Sequence, residues 1–124
     1  MTVNIGSLNK GGSIANYHTG HEAERVAADY LRKLGFKIRE LNWRTRFCEI
    51  DIVAEKSRRL YFVEVKYRRN ADRGSGIDYI TARKLRQMRF AAEYWTARHY
   101  WKYDCQLAAI SFDGDKLRFE LIDD

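Results

Sequence analysis

A chain of 124 residues, of which 45% are hydrophobic, has enough apolar surface for one modest core, and a second domain is not expected. It lacks the run of about 18 apolar residues that crosses a bilayer, and its two cysteines are too few for a disulfide framework, so we expect a cytoplasmic protein with no membrane partner. The net charge of +6 favours a polyanionic partner such as nucleic acid.

The N-terminal part of the chain divides into an arm and the start of a domain. Residues 1–16 are rich in Gly, Ser and Asn, which predicts a flexible N-terminal arm before a single domain over 17–124. Thr19 and Glu22 have the spacing of a capping box, and apolar residues follow at helical spacing as far as Gly35. A first helix is therefore expected from about Thr19, and Gly35 ends it.

The rest of the chain alternates strand-like runs with one long helix. The runs 47–55 and 60–67 are separated by a short polar segment, which predicts an antiparallel hairpin with a loop of about four residues. A Gly-containing loop over 69–76 precedes a helix expected from about Ile80 to Tyr100. The resulting order, αβββαββ, predicts an α/β fold with a mixed central sheet flanked by helices. The expected strands are 36–43, 47–55, 60–67, 106–112 and 116–121.

The predicted hairpin carries four charged residues at two-residue spacing. Its first strand contains Glu49 and Asp51, and its second contains Glu64 and Lys66. Side chains two residues apart share one face of a strand. If the strands pair directly outward from the loop, Asp51 falls opposite Glu64, with about 5 Å between Cβ atoms. Glu49 then falls opposite Lys66.

Two facing carboxylates suggest a cation site. Such carboxylates repel each other, and a shared divalent cation relieves the repulsion. Oxygen ligands from Asp, Glu and a main-chain carbonyl suit Mg²⁺ or Mn²⁺. Lys66 would then lie where it could position or deprotonate an attacking water. The same charges also fit a solvated strand surface with cross-strand ion pairs, because short motifs of this kind occur by chance.

Four short motifs stand out along the chain: Gly20-His21-Glu22, Asn42-Trp43-Arg44, Cys48-Glu49-Ile50-Asp51 and Phe62-Val63-Glu64-Val65-Lys66-Tyr67-Arg68. Together they resemble the YraN-type family of small bacterial predicted endonucleases, a branch of the PD-(D/E)xK nuclease superfamily. Lys84 and Ala92 also fall where that family would have them, whereas Cys48 stands where the family has Gly. The resemblance implies a restriction-endonuclease-like fold, similar to that of Holliday junction resolvases.

The resemblance also implies roles for individual residues. Asp51, Glu64 and the main-chain carbonyl of Val65 would be ligands of Mg²⁺ or Mn²⁺, and Lys66 would be the catalytic lysine. Glu22 would reach the metal from the first helix, directly or through water. A capping-box glutamate needs no catalytic role, so both interpretations of Glu22 stay open.

Basic residues flank the acidic pair along the chain. Phosphate contacts and solvated charge both account for such residues, and we expect phosphate contacts. The predicted nucleic-acid-binding residues are Arg44, Arg68, Arg83, Lys84 and Arg86.

The function implied is that of a metal-dependent endonuclease hydrolysing DNA, with branched or damaged DNA among the expected substrates. The alternative is a non-catalytic nucleic-acid-binding module in DNA uptake, repair or recombination. A protein-interaction domain using the Tyr and Trp residues of 94–103 is a third class. The sequence also leaves homodimer formation open.

Overall fold

The computed structural model describes residues 2–4, 20–68, 80–114 and 116–122. From the first helix onward, the order αβββαββ is confirmed. No helix in these ranges is long and apolar enough to cross a membrane. The elements are β1 (Thr2–Asn4), α1 (Gly20–Lys33), β2 (Lys37–Arg44), β3 (Glu49–Lys56), β4 (Arg59–Arg68), α2 (Ala82–Arg98), β5 (Asp104–Asp113) and β6 (Lys116–Ile122).

The strands form one mixed sheet in the order β1-β6-β5-β4-β3-β2. Its only parallel pair among the described strands is β4 with β5, and α2 makes the crossover that such a pair requires. β1 pairs antiparallel with β6 at one edge. Residues 2–4 of the expected arm therefore belong to the sheet, while 5–19, with the expected cap at Thr19, lie outside the described residues.

Apolar side chains cover both faces of the sheet, because alternate strand residues point to opposite faces. In β4, Val63 belongs to the cluster under α1, whereas Leu60 and Phe62 belong to the cluster under α2. Leu31 of α1 and Trp95 of α2 are almost fully buried in these two clusters. The result is the predicted α/β fold, a mixed sheet with one helix on each face.

Gly35 ends α1 as the sequence predicts. Its φ of +95° lies in the left-handed region that glycine adopts without strain. The N–H of Phe36 donates to the carbonyl of Leu31 at 3.0 Å, which is the long hydrogen bond of a Schellman motif. The chain turns here directly into β2.

The hairpin between β3 and β4 has the predicted register but a tighter turn. Ser57 and Arg58 have φ values of +54° and +62°, as in a type I′ turn, and Lys56 pairs with Arg59. The expected loop of about four residues is therefore wrong, because two of those residues extend the ladder. Shortening the loop equally at both ends leaves the predicted register unchanged as far as the pair Ile52 and Val63.

Candidate active site

The β3–β4 ladder ends at the pair Ile52 and Val63, one step before the two acids. Beyond it, the main-chain N–H of Val65 donates to Oδ2 of Asp51 at 2.8 Å. The carboxylate of Asp51 thus takes a main-chain hydrogen bond where the ladder stops. Asp51 and Glu64 are not a ladder pair, but they are close enough for Asp51 to raise the pKa of Glu64.

Glu64 lies in a mainly buried position next to a lysine of α2. Its side chain is 16% exposed, and its Oε2 is 3.2 Å from Nζ of Lys84. Burial and the charge of Asp51 raise the pKa of this carboxyl, while Lys84 and Lys66 lower it. Lys84, predicted as a phosphate contact, therefore forms an ion pair with Glu64 in this structure.

The start of α2 explains why Lys84 reaches Glu64. The hydroxyl of Thr81 caps the helix by accepting a hydrogen bond from the N–H of Lys84 at 3.0 Å. Met88 and Trp95 lie four and eleven residues further along and are buried against the sheet. Lys84 thus begins the inward-facing stripe of the helix. Helical spacing could have identified this orientation from the sequence.

Sequence reasoning missed Glu24, the carboxyl group that α1 brings to Asp51. Burial, the charge of Asp51 and a hydrogen bond between the two carboxyl groups raise the pKa of Glu24 to about 7. Ala27 and Leu31, three and seven residues later, are fully buried on the same stripe. An acid on an apolar stripe was the signal that could have revealed it.

Glu22 does not share this orientation. A helix turns by about 100° per residue, so side chains two residues apart point in very different directions. Glu24 is the residue of α1 that contacts Asp51. The roles considered for Glu22, as a metal ligand or as a helix cap, stay predictions.

The raised pKa of Glu24 predicts a pH-dependent stability. Its pKa increases from 4.5 to about 7 on folding, so its contribution to stability is complete below pH 4.5 and is lost as the pH rises through 7. Glu24→Gln keeps a neutral polar group beside Asp51. In thermal unfolding with a chelator present, we expect wild type to lose stability relative to this variant across that window.

A matched variant separates this effect from a general change of charge. Glu22→Gln removes the same charge from the same helix turn but keeps Glu24, so it should retain the wild-type loss of stability with pH. Parallel profiles for wild type and Glu24→Gln would contradict the position given to Glu24.

Lys66 is exposed on the strand face that it shares with Glu64. Its charge lowers the pKa of Glu64, which locates its ammonium near the acidic pair. Glu49, expected as its partner, instead has Oε2 3.5 Å from Nε of Arg44. The register of β2 and β3 pairs Arg44 with Glu49, so Glu49 has its partner on β2 rather than on β4.

The predicted basic residues divide into two groups. Arg44, Arg83 and Arg86 line one open groove together with Lys84, with a volume of about 790 Å³. The charge of Arg44 also lowers the pKa of Glu24, so this groove adjoins the acidic pair. The backbone of Arg68 ends β4, and its side chain lies outside the described part of the structure.

The oxygen atoms near the end of the β3–β4 ladder suit a hard cation that binds through few protein ligands. Within the described ranges, no three His, Cys, Asp or Glu side chains form a group that could hold a metal ion. The candidate oxygen ligands are the carboxylates of Asp51 and Glu64, with the main-chain carbonyl of Val65 as the third predicted ligand. Mg²⁺ is usually bound through one or two carboxylates and keeps several waters. The repulsion that raises the pKa of Glu64 would also favour a cation here.

Residues 23–123 match the family described as "Uncharacterised protein family UPF0102". A UPF0102 protein of Fusobacterium nucleatum is 35% identical over 99 residues, covering 79% of this chain and 83% of that protein. One of Syntrophomonas wolfei is 46% identical over 77 residues, covering 62% and 67%. One of Rhodococcus jostii is 37% identical over 98 residues, covering 77% and 83%. The resemblance to the YraN-type family is confirmed by these matches.

Proposed function

Because the chain belongs to the uncharacterised family UPF0102, its function must be argued from its own site, and we propose that it is a Mg²⁺- or Mn²⁺-dependent endonuclease that hydrolyses DNA phosphodiester bonds. The observation that carries this proposal is the convergence of Asp51, Glu64 and Lys66 where the β3–β4 ladder ends, beside an arginine-rich groove. A cytoplasmic location and branched or damaged DNA as substrate are parts of the same proposal.

The protein groups have separate roles in this mechanism. Asp51, Glu64 and the carbonyl of Val65 would hold the cation. When bound, Mg²⁺ or Mn²⁺ activates water and neutralises charge that develops on the phosphate. The ammonium of Lys66 orients the attacking water and stabilises negative charge on the phosphate.

Glu24, whose carboxyl group contacts Asp51, can change the charge of the proposed cation site. Glu24 shares a hydrogen bond with Asp51 and has a pKa of about 7, so it can hold or release a proton near neutral pH. Its ionised form adds negative charge beside the cation ligands. The proposed site is therefore more attractive to a cation when Glu24 is deprotonated.

The alternative function is a non-catalytic nucleic-acid-binding module. The ion pair between Lys84 and Glu64 favours it, because the ammonium already gives Glu64 a positively charged partner without a metal. The arginines of the groove would then bind phosphates without turnover. In that case purified protein would bind DNA and leave it intact with every divalent cation.

Cleavage of defined DNA forms tests the proposal. Labelled duplex, flap, junction and single-stranded DNA are incubated with purified protein in Mg²⁺, in Mn²⁺ and in excess chelator. We expect cutting of at least one form with a cation and none with the chelator, because the acidic pair alone does not activate water. Intact DNA in all the cation reactions would reject the endonuclease and leave the binding module.

A further inference from the structure

The groove next to the acidic pair has a composition that phosphate binding alone does not explain. Its walls are residues 44–49, from the end of β2 to the start of β3, and residues 83–90 in the N-terminal half of α2. Besides Arg83 and Arg86, it is lined by Phe47 and Phe90. These two aromatic side chains are 62% and 48% exposed. Exposed apolar groups collected in one groove are typical of a binding surface.

Phe47 is held in place by the turn that carries it. The hydroxyl of Thr45 accepts hydrogen bonds from the N–H groups of Phe47 at 3.0 Å and of Cys48 at 3.1 Å. The N–H of Thr45 also donates to the carbonyl of Cys48 at 2.9 Å. The guanidinium of Arg46 lies 5.5 Å from the centre of the Phe47 ring. The exposed ring therefore has an ordered backbone beneath it.

Both exposed rings are supported by the same tyrosine. The ring centres of Phe47 and Phe90 are each 6.0 Å from that of Tyr94, which also lies 6.0 Å from the ring centre of Trp43. The hydroxyl of Tyr94 accepts a hydrogen bond from Arg98 at 3.3 Å. These contacts hold the rings in position while Phe47 and Phe90 stay 62% and 48% exposed. The groove thus has a supported aromatic wall.

The charge of the groove indicates an anionic ligand. Arg44, Arg46, Arg83 and Arg86 line it with Lys84, and one acid, Glu49, lines it with them. Glu49 already pairs with Arg44. The volume of about 790 Å³ lies within the range of about 300–1,000 Å³ found for ligand pockets. A ligand with negative charge and flat apolar faces fits these walls.

Nucleotides have that chemistry only when their bases are unpaired. Bases in a duplex are stacked on their neighbours, so their faces cannot contact a protein side chain without being splayed out. A groove lined by arginines alone would suit a duplex, whose backbone phosphates are exposed. Aromatic side chains add stacking that only unpaired bases can use.

We propose that this groove binds an unpaired nucleotide next to the scissile phosphate, with Phe47 and Phe90 as the stacking surfaces, so that the substrate is DNA with a single-stranded segment. The inference rests on the proposed function for its link to cleavage. That link is physical, because Lys84 both lines the groove and contacts Glu64. Glu49 also lines it, two residues before Asp51.

Binding of fluorescein-labelled DNA, followed by anisotropy in excess chelator, tests the proposal. The probes are a single-stranded oligonucleotide and the fully paired duplex of the same sequence. Stacking is worth about 1–3 kcal/mol per base, so the double variant Phe47→Ala/Phe90→Ala should bind single strands about 5-fold to 100-fold more weakly. Its affinity for duplex should stay close to that of wild type, since the arginines are intact.

Two further variants make the result specific. Tyr103 is 59% exposed and lies near the β3–β4 turn, away from the groove, with its ring 5.8 Å from the guanidinium of Arg58. Tyr103→Ala should leave both affinities unchanged. Phe47→Trp keeps a stacking surface, so it should retain single-strand affinity, and its added fluorescence should be quenched by the single strand but not by the duplex.

The outcomes separate this inference from the proposed endonuclease. Unchanged single-strand affinity in the double variant, or equal losses for single strand and duplex, would overturn the groove assignment even if wild type cuts DNA. A selective loss with no cleavage by wild type would support the groove and reject the endonuclease. Quenching of Phe47→Trp by both probes would also contradict selective stacking.

Discussion

Asp51→Asn should remove both divalent-cation binding and DNA cleavage while the protein stays folded. The amide oxygen of asparagine can still accept the hydrogen bond that the N–H of Val65 donates at 2.8 Å, so the backbone geometry is retained. The charge that would bind a cation together with Glu64 is lost. Removing a charge-stabilising group from an active site costs about 10²–10³-fold in turnover, and loss of the cation should make this a lower bound.

Titration calorimetry with Mn²⁺ measures the first effect, and the DNA cleavage assay measures the second. Asp29→Asn is the control, because Asp29 is an exposed carboxylate of α1 that pairs with Arg32. This variant should bind Mn²⁺ and cut DNA as wild type does. Equal Mn²⁺ binding by Asp51→Asn and wild type would reject Asp51 as a ligand.

Lys66→Ala should lower turnover by about 10²–10³-fold, the usual cost of removing a group that stabilises developing charge. Affinities for Mn²⁺ and for DNA should persist, because Asp51, Glu64 and the groove arginines remain. An interaction made mainly in the transition state changes turnover without changing binding. Single-turnover cleavage combined with anisotropy binding separates the two quantities.

The control for this prediction is another exposed lysine. Lys102 follows α2 and is exposed. Lys102→Ala should cut at the wild-type rate, since it removes one positive charge without changing the site. If Lys66→Ala also cut at that rate, the catalytic role of Lys66 would be untenable.

Local patterns in the sequence were sufficient for the elements and for the register of the hairpin. Period-two alternation identified the strands, and Gly35 marked the end of α1 because its positive φ excludes most other residues. The turn at Ser57 and Arg58 was tighter than expected, yet the ladder has the predicted register as far as Ile52 and Val63, one step before Asp51 and Glu64. Register depends on the pairing of whole strands, so a symmetric change of loop length does not alter it.

The carboxyl group that α1 brings to Asp51 shows where local reasoning was incomplete. A capping box drew attention to Glu22, because its spacing from Thr19 is a strong local signal. Glu24 carries no such motif and was overlooked. Glu24 lies on the same helix stripe as the buried residues Ala27 and Leu31, and this stripe contacts the sheet only when α1 packs there.

The sequence was sufficient to predict Asp51, Glu64 and Lys66 as one group, since strand spacing and a nearby turn relate them. The groups that surround them depend on tertiary packing. Lys84 reaches Glu64, and Glu24 reaches Asp51, because two helices lie on opposite faces of the sheet and both begin near the end of the β3–β4 ladder. Contacts between distant segments depend on how whole elements pack, and no short-range pattern specifies that packing.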